Sequence, residues 1–143
     1  MKRLAFLIFS LLTLISCDSD DRVNNSFLPN VAVNFEINLN LPEYDNLDFP
    51  GGHFVETTAG RGIRGVILYN VNDQQFTAFE LSDPNHSPSS CSSQSVDGII
   101  STCNCNDGNS YNIVTGQQTA GEGQFGLKSY RVQKQGNTLF ISN

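Results

Sequence analysis

Val31-Ala32-Val33-Asn34-Phe35-Glu36-Ile37-Asn38-Leu39-Asn40 alternates with period two. Val31, Val33, Phe35, Ile37 and Leu39 point one way, and Ala32, Asn34, Glu36, Asn38 and Asn40 the other, because successive side chains of a strand leave opposite faces of a sheet. The segment therefore reads as a strand with one buried and one wet face. The same vocabulary of β-branched and aromatic residues returns at Gly62–Tyr69, Gln75–Leu81, Val96–Thr102, Asn109–Val114, Lys128–Lys134 and Thr138–Ser142. Asn72-Asp73, Asp97-Gly98, Thr115-Gly116 and Gln135-Gly136-Asn137 supply turn chemistry between them, and the connections are short enough for antiparallel hairpins. No window after Cys17 keeps an apolar stripe at helical spacing over 11 or more residues. The expected fold is all-β, a small antiparallel sandwich or open barrel.

Two segments interrupt this pattern. Leu41–Gly60 contains Pro42, Pro50, Gly51, Gly52 and Gly60 and reads as a long loop with a short strand near His53–Glu56. Ser82–Ser95 is rich in Ser and Pro, carries His86 and Cys91, and lies between two strands, a place where binding chemistry often sits.

The chain has 143 residues, enough for one domain. Only 15% are charged and 38% are hydrophobic, with 10 Phe and no Trp, a composition that excludes wholesale disorder. The net charge of −6 argues against sequence-independent nucleic-acid binding, which needs a basic surface.

Lys2 and Arg3 precede the apolar run Leu4–Leu12, a secretory pattern too short for a membrane span of about 20 residues. Leu14-Ile15-Ser16-Cys17 resembles the lipobox of bacterial lipoproteins, in which the Cys becomes the lipidated first residue. Residues 1–16 are thus expected to be a lipoprotein signal peptide, with Cys17 and acidic Asp18-Ser19-Asp20-Asp21 opening a tether over 17–29 and a single domain over 30–143. Losing Lys2 and Arg3 takes 8 basic residues to 6 against 14 acidic, a net charge of −8. The resemblance implies a lipid anchor in the membrane and an outer-envelope location, periplasmic or surface-exposed.

With Cys17 given to lipid, Cys91, Cys103 and Cys105 remain in an oxidising compartment. Three thiols allow at most one internal disulfide and leave one thiol, expected to be reactive. Cys103 and Cys105 are too close for an easy mutual bridge, so Cys91 pairs with Cys105 or with Cys103. Closing a loop of about 13 residues contributes on the order of 3 kcal/mol in the chain-entropy model. A Cys₃His zinc site of His86, Cys91, Cys103 and Cys105 is the alternative, although C-x-C with two isolated partners departs from usual zinc spacing. Gly60-Arg61-Gly62-Ile63-Arg64-Gly65 lacks the strand-to-helix context of a phosphate cradle and reads as a tight bend with two solvated arginines.

The order of the remaining features resembles the Rieske domain, including the ferredoxin-like small subunits of nitrite reductases and ring-hydroxylating dioxygenases. Asp83-Pro84-Asn85-His86 stands in a first loop. Cys103-Asn104-Cys105-Asn106-Asp107-Gly108-Asn109-Ser110-Tyr111 stands in a second, with Val114-Thr115-Gly116 beyond it. Gly126-Leu127-Lys128-Ser129-Tyr130-Arg131-Val132 and Thr138-Leu139-Phe140-Ile141 close the chain. The family carries C-x-H in its first loop, C-P-C-H-G-x-x-F/Y and then D-x-x-T-G in its second, and a P-L-x-x-Y-x-V closing hairpin.

The resemblance covers Gly62 to the C-terminus and implies two loop-bearing hairpins near the cluster position. A Rieske cluster takes two Cys on one iron and two His on the other. Here the first Cys falls on Asp83, and His86 stands three positions on. Cys103 matches a ligand Cys, and the second His falls on Asn106. Two of four ligands survive, His86 and Cys103, one for each iron. Some Rieske domains clip the two loops with a disulfide, and Cys91 with Cys105 stands where that clip would be. The resemblance, with its departures, implies a domain without a cofactor that serves as a binding or structural module for an envelope protein, rather than an enzyme. The rival is an electron-transfer protein that keeps a [2Fe–2S] cluster in an unusual ligand set and serves a redox partner.

Overall fold

The computed structural model describes residues 25–143. The signal peptide, Cys17 and the acidic run 18–21 lie outside the described residues. The fold is nearly all-β, built of antiparallel curled sheets that form a half-barrel. Its strands are β1 (Asn34–Asn38), β2 (His53–Glu56), β3 (Val66–Asn72), β4 (Gln75–Glu80), β5 (Gln94–Asp97), β6 (Ile100–Cys103), β7 (Ser110–Asn112), β8 (Gln118–Ala120), β9 (Ser129–Gln135) and β10 (Thr138–Ser142). Six form one sheet in the order β1-β10-β9-β4-β3-β2, and β5-β6-β7-β8 form the other. Among the described residues no helix is long and apolar enough to cross a membrane.

Period-two burial builds two cores from one central strand. Val66 and Leu68 of β3 face a core with Val33, Ile37, Leu39, Leu139 and Ile141. Ile67 and Tyr69, one residue out of phase, face Phe79, Leu81, Tyr111, Ile113 and Leu127. A strand covered on both faces reads as an unbroken apolar run. β3 accordingly begins at Val66, whereas Gly62–Gly65 form the bend before it.

Several elements differ from expectation. Val96–Thr102 is split into β5 and β6 by Gly98, whose φ of +57° reverses the chain. Pro42–Asp48 forms a 3₁₀ helix inside the expected long loop, with Pro in its first turn. It buries Tyr44 and Leu47, three apart and therefore on one side of a three-residue turn. The C-terminal hairpin does not stand beside a sequential neighbour. It inserts between β1 and β4, pairing Asn34 with Ser142 and Ala78 with Tyr130. Of the expected tether, residues 25–29 are held on the domain: the Asn25 side-chain amide donates to the Pro84 carbonyl at 2.8 Å, and Leu28 is buried.

The bend at Gly60–Gly65 is fastened by two buried carboxylates. Glu80 is fully buried and accepts from the Ile63, Arg64 and Ser82 amides at 2.8–3.0 Å and from Tyr130 Oη at 2.6 Å. Four donors spread over two oxygens satisfy a charge that burial would otherwise penalise heavily. Glu56 accepts from Arg61 Nη1 at 2.6 Å and the Thr58 amide at 2.7 Å. Arg61 is therefore not a solvated residue; its guanidinium also lies 4.8 Å from the Phe35 ring centroid.

Replacing Glu80 with Ala strips partners from three amides and a phenol, and is expected to cost about 2–4 kcal/mol in urea unfolding. Tyr130→Phe, which removes one donor, is expected to cost about 1 kcal/mol. Burial would raise the Glu56 carboxyl, but hydrogen bonds from Thr58 and Arg61 outweigh it and hold the group below its ordinary value. A folded-state value below the unfolded one gives stability that is complete above the unfolded pKa and lost as pH falls through the folded one. Unfolding free energy is thus expected to fall below about pH 4, and Glu56→Gln to flatten part of that fall.

Candidate metal centre and its sulfur clip

Two loops meet at the edge of the second sheet. The first leaves β4 and runs through Asp83, His86 and Cys91 into β5. The second is the β6–β7 turn and carries Cys105, Asn106 and Asp107. Cys91 and Cys105 form a disulfide, with Cα atoms 4.9 Å apart. This is the pairing the resemblance implied, and the alternative with Cys103 is not formed. Cys103, at the end of β6, is the free cysteine among the described residues and is buried.

The first loop is held rigid by an amide–phenol–carboxylate chain. Asn85 Nδ2 donates to Tyr111 Oη at 2.8 Å, and that hydroxyl donates to Asp83 Oδ2 at 3.0 Å. Asp83 Oδ1 accepts from the Asn85 amide at 2.7 Å, and the Asp83 amide donates to the Ser92 carbonyl at 2.8 Å. Asn85 Oδ1 accepts from the Gln124 and Phe125 amides at 2.8 and 2.9 Å. Gly123 leaves room for this amide, since a Cβ there would lie 2.1 Å from Asn85 Nδ2. Burial raises the Tyr111 hydroxyl above its ordinary pKa, and the Asp83 carboxylate reinforces the rise, keeping the phenol a donor.

With Asn85 fixed, His86 turns toward the second loop. Its Nε2 lies 3.2 Å from Cys103 Sγ and 3.2 Å from Asp107 Oδ2, while Nδ1 lies 3.2 Å from the Ser87 carbonyl. His86 Nε2, Cys103 Sγ, Cys105 Sγ and an Asp107 oxygen all lie within 4.8 Å of one another. The sequence-based zinc set is thereby corrected: Cys91 does not belong to this group, and Asp107 does. Asp107 was not among the candidate ligands read from the sequence, where it stands only within the run from Cys103 to Tyr111. Asn106 takes φ +59°, a left-handed conformation Asn tolerates, and is exposed.

The environment sets the chemistry of each group. Burial pushes the Cys103 thiol up to about 12, with the Asp107 and Asp83 carboxylates adding to the rise. The leftover thiol is thus free but buried, and burial disfavours the thiolate that is the nucleophile. Burial would raise Asp107 too, but the Asn109 amide at 3.0 Å, the Cys103 thiol and the His86 ring hold it below the usual carboxylate range.

Set against the two-Cys, two-His ligands that the Rieske resemblance implies, the residues brought together here are one His, two Cys and one Asp, with one of the Cys in the disulfide. Asp83, which the resemblance sets against one ligand Cys, is fully buried and hydrogen-bonded to Tyr111 and Asn85. Asn106, which the resemblance sets against one ligand His, is exposed in the turn. His86 and Cys103, which would serve different irons, already touch. The cavity of about 370 Å³ lined by Leu39, Asp45, Asp48, Phe76 and Lys134 shares no residue with this site.

No family model matches the sequence, and no curated protein matches it. Among solved structures, the chain is similar to a chain from the complex of reduced oxygenase and oxidized ferredoxin in carbazole 1,9a-dioxygenase. The match has 23% identity and a TM-score of 0.48, and covers 68% of this chain and 86% of that one.

In a chain carrying Cys17→Ser, so that position 17 offers no thiol, an aromatic disulfide reagent is expected to react with the native protein far more slowly than with a model thiol. One thiol is expected to appear on unfolding. Tyr111→Phe breaks the Asn85–Asp83 relay and is expected to cost about 1–3 kcal/mol of stability in denaturant titration.

Proposed function

We propose that this chain is a lipid-anchored envelope protein whose β domain is a cluster-free relative of the Rieske domain and works as a binding or structural module. The observation that carries the reading is the 3.2 Å contact between His86 Nε2 and Cys103 Sγ, beside a buried, committed Asp83 and an exposed Asn106. Two surviving ligands in mutual contact leave a two-iron core with neither the number nor the spacing of donors it needs. The Cys91–Cys105 bond supports the kinship, since it joins the same two loops a cluster would otherwise join.

The anchoring half of the proposal rests on Leu14-Ile15-Ser16-Cys17 and the acidic run after it. A lipidated Cys17 followed by a charged tether would hold the domain off the membrane surface by hydration and self-repulsion. The partner in this reading is another envelope protein.

Two measurements test the two halves separately. The chain purified without oxygen is expected to be colourless, with far less than one iron per chain. Stoichiometric iron with visible absorption would overturn the cluster-free reading in favour of the electron-transfer one. Growth with a labelled fatty acid is expected to label the chain, and Cys17→Ser to abolish the label; persistence of the label in that variant would remove the anchor from position 17.

A further inference from the structure

The disulfide removes one donor from a group that otherwise has the composition of a metal site. We propose that the Cys91–Cys105 bond is a redox lock on a mononuclear divalent-metal site made of His86, Cys103, Cys105 and Asp107. The site rests on the cluster-free reading, because a cluster would consume His86 and Cys103.

Geometry comes first. A tetrahedral zinc ion with bonds of about 2.0–2.3 Å needs donors about 3.3–3.8 Å apart. His86 Nε2 already stands 3.2 Å from both Cys103 Sγ and Asp107 Oδ2, and the whole set lies within 4.8 Å. Contraction of about an ångström in one turn completes the site. The donor set is also chemically coherent, since two thiolates, an imidazole and a carboxylate suit zinc or cobalt rather than calcium or magnesium. In the oxidised chain Cys105 carries no anionic sulfur, so three donors remain.

Opening the bond would not scatter the donors, because each loop has other fastenings. Asn104 Nδ2 donates to the Ser93 carbonyl at 2.8 Å, and Asn104 Oδ1 accepts from Ser95 Oγ at 2.8 Å. Asp83 and Ser92 are joined through the backbone, and Asn85 pins the His86 loop to Tyr111 and Phe125. Metal donors held by such outer partners bind more tightly than free ones.

The two sulfurs are placed asymmetrically: Cys91 is exposed, whereas Cys105 is half-buried beside the other donors. An external dithiol attacks Cys91 Sγ, the S–S bond breaks, and Cys105 leaves as a thiolate facing His86 and Cys103. The second thiol of the reductant then displaces Cys91, so the dithiol ends as a disulfide and the protein gains two thiols. Metal entry releases the Cys103 proton to solvent.

Cobalt(II) titration of the full-length chain in detergent tests this directly, following the thiolate charge-transfer and tetrahedral visible bands. After reduction with a water-soluble phosphine, which is converted to its oxide, one cobalt per chain is expected. Binding to the oxidised chain is expected to be at least about 100-fold weaker. Cys91→Ser frees Cys105 and is expected to bind cobalt anaerobically without reductant, whereas reduced Cys105→Ser is expected to lose the two-thiolate bands. Equal cobalt affinity in both redox states, or no binding by a reduced chain whose circular dichroism is unchanged, would overturn the lock. Absence of cobalt binding by an iron-free chain sinks this inference alone, and iron in the purified chain sinks it together with the proposed function.

Discussion

A covalent bond between Cys91 and Cys105 ties together two loops that belong to different strand pairs. Neither loop has an apolar interior of its own. The first is polar and Ser-rich, and the second is a turn of Asn, Asp and Gly. Their positions are therefore set at the edges, by the sulfur clip on one side and by the Asp83–Tyr111–Asn85 chain on the other. Between these two fastenings His86 is brought against Cys103 and Asp107. Tyr111, the centre of the second fastening, is itself buried in the core with Ile67 and Phe79, so the convergence is set by the loops and the core together.

The core also carries the frame. Because both faces of β3 are covered, the frame beneath the loops is anchored by Val66, Ile67 and Leu68 rather than by the loops themselves. Glu80 and Glu56 then fasten the Gly60–Gly65 bend with charge-assisted hydrogen bonds, which are stronger than neutral ones. Arg64, at the end of that bend, donates to the Ser89 carbonyl in the first loop. The bend thus touches the loop that carries Cys91, and the frame and the site are mechanically linked.

Much of the frame was legible where one face is buried and the other wet. The burial alternation from Val31 to Leu39 follows the period-two reading, although only Asn34–Asn38 pairs as a strand, and the closing strand Thr138–Ser142 lies where expected. The reading faltered where side chains carry no such contrast. β8 (Gln118–Ala120) has no large apolar residue, and the 3₁₀ helix at Pro42–Asp48 shows its buried pair only at a spacing of three. Insertion of the C-terminal hairpin between β1 and β4 is a long-range pairing, and no local residue encodes it. At the site, the Cys91–Cys105 pairing came from the family likeness, since spacing alone left Cys103 equally available. Asp107 escaped because the ligand types sought in that loop were Cys and His rather than a carboxylate. The roles of Tyr111 and Asn85 depend on contacts 26–40 residues away in sequence, which no motif exposes.

Which sulfurs are joined decides how the two loops meet. Proteolysis of the native chain under acidic, non-reducing conditions, followed by mass spectrometry, reads this directly. The account predicts a cross-linked pair of peptides containing Cys91 and Cys105, with Cys103 carrying a free thiol. A bond to Cys103, or three free thiols, would contradict it.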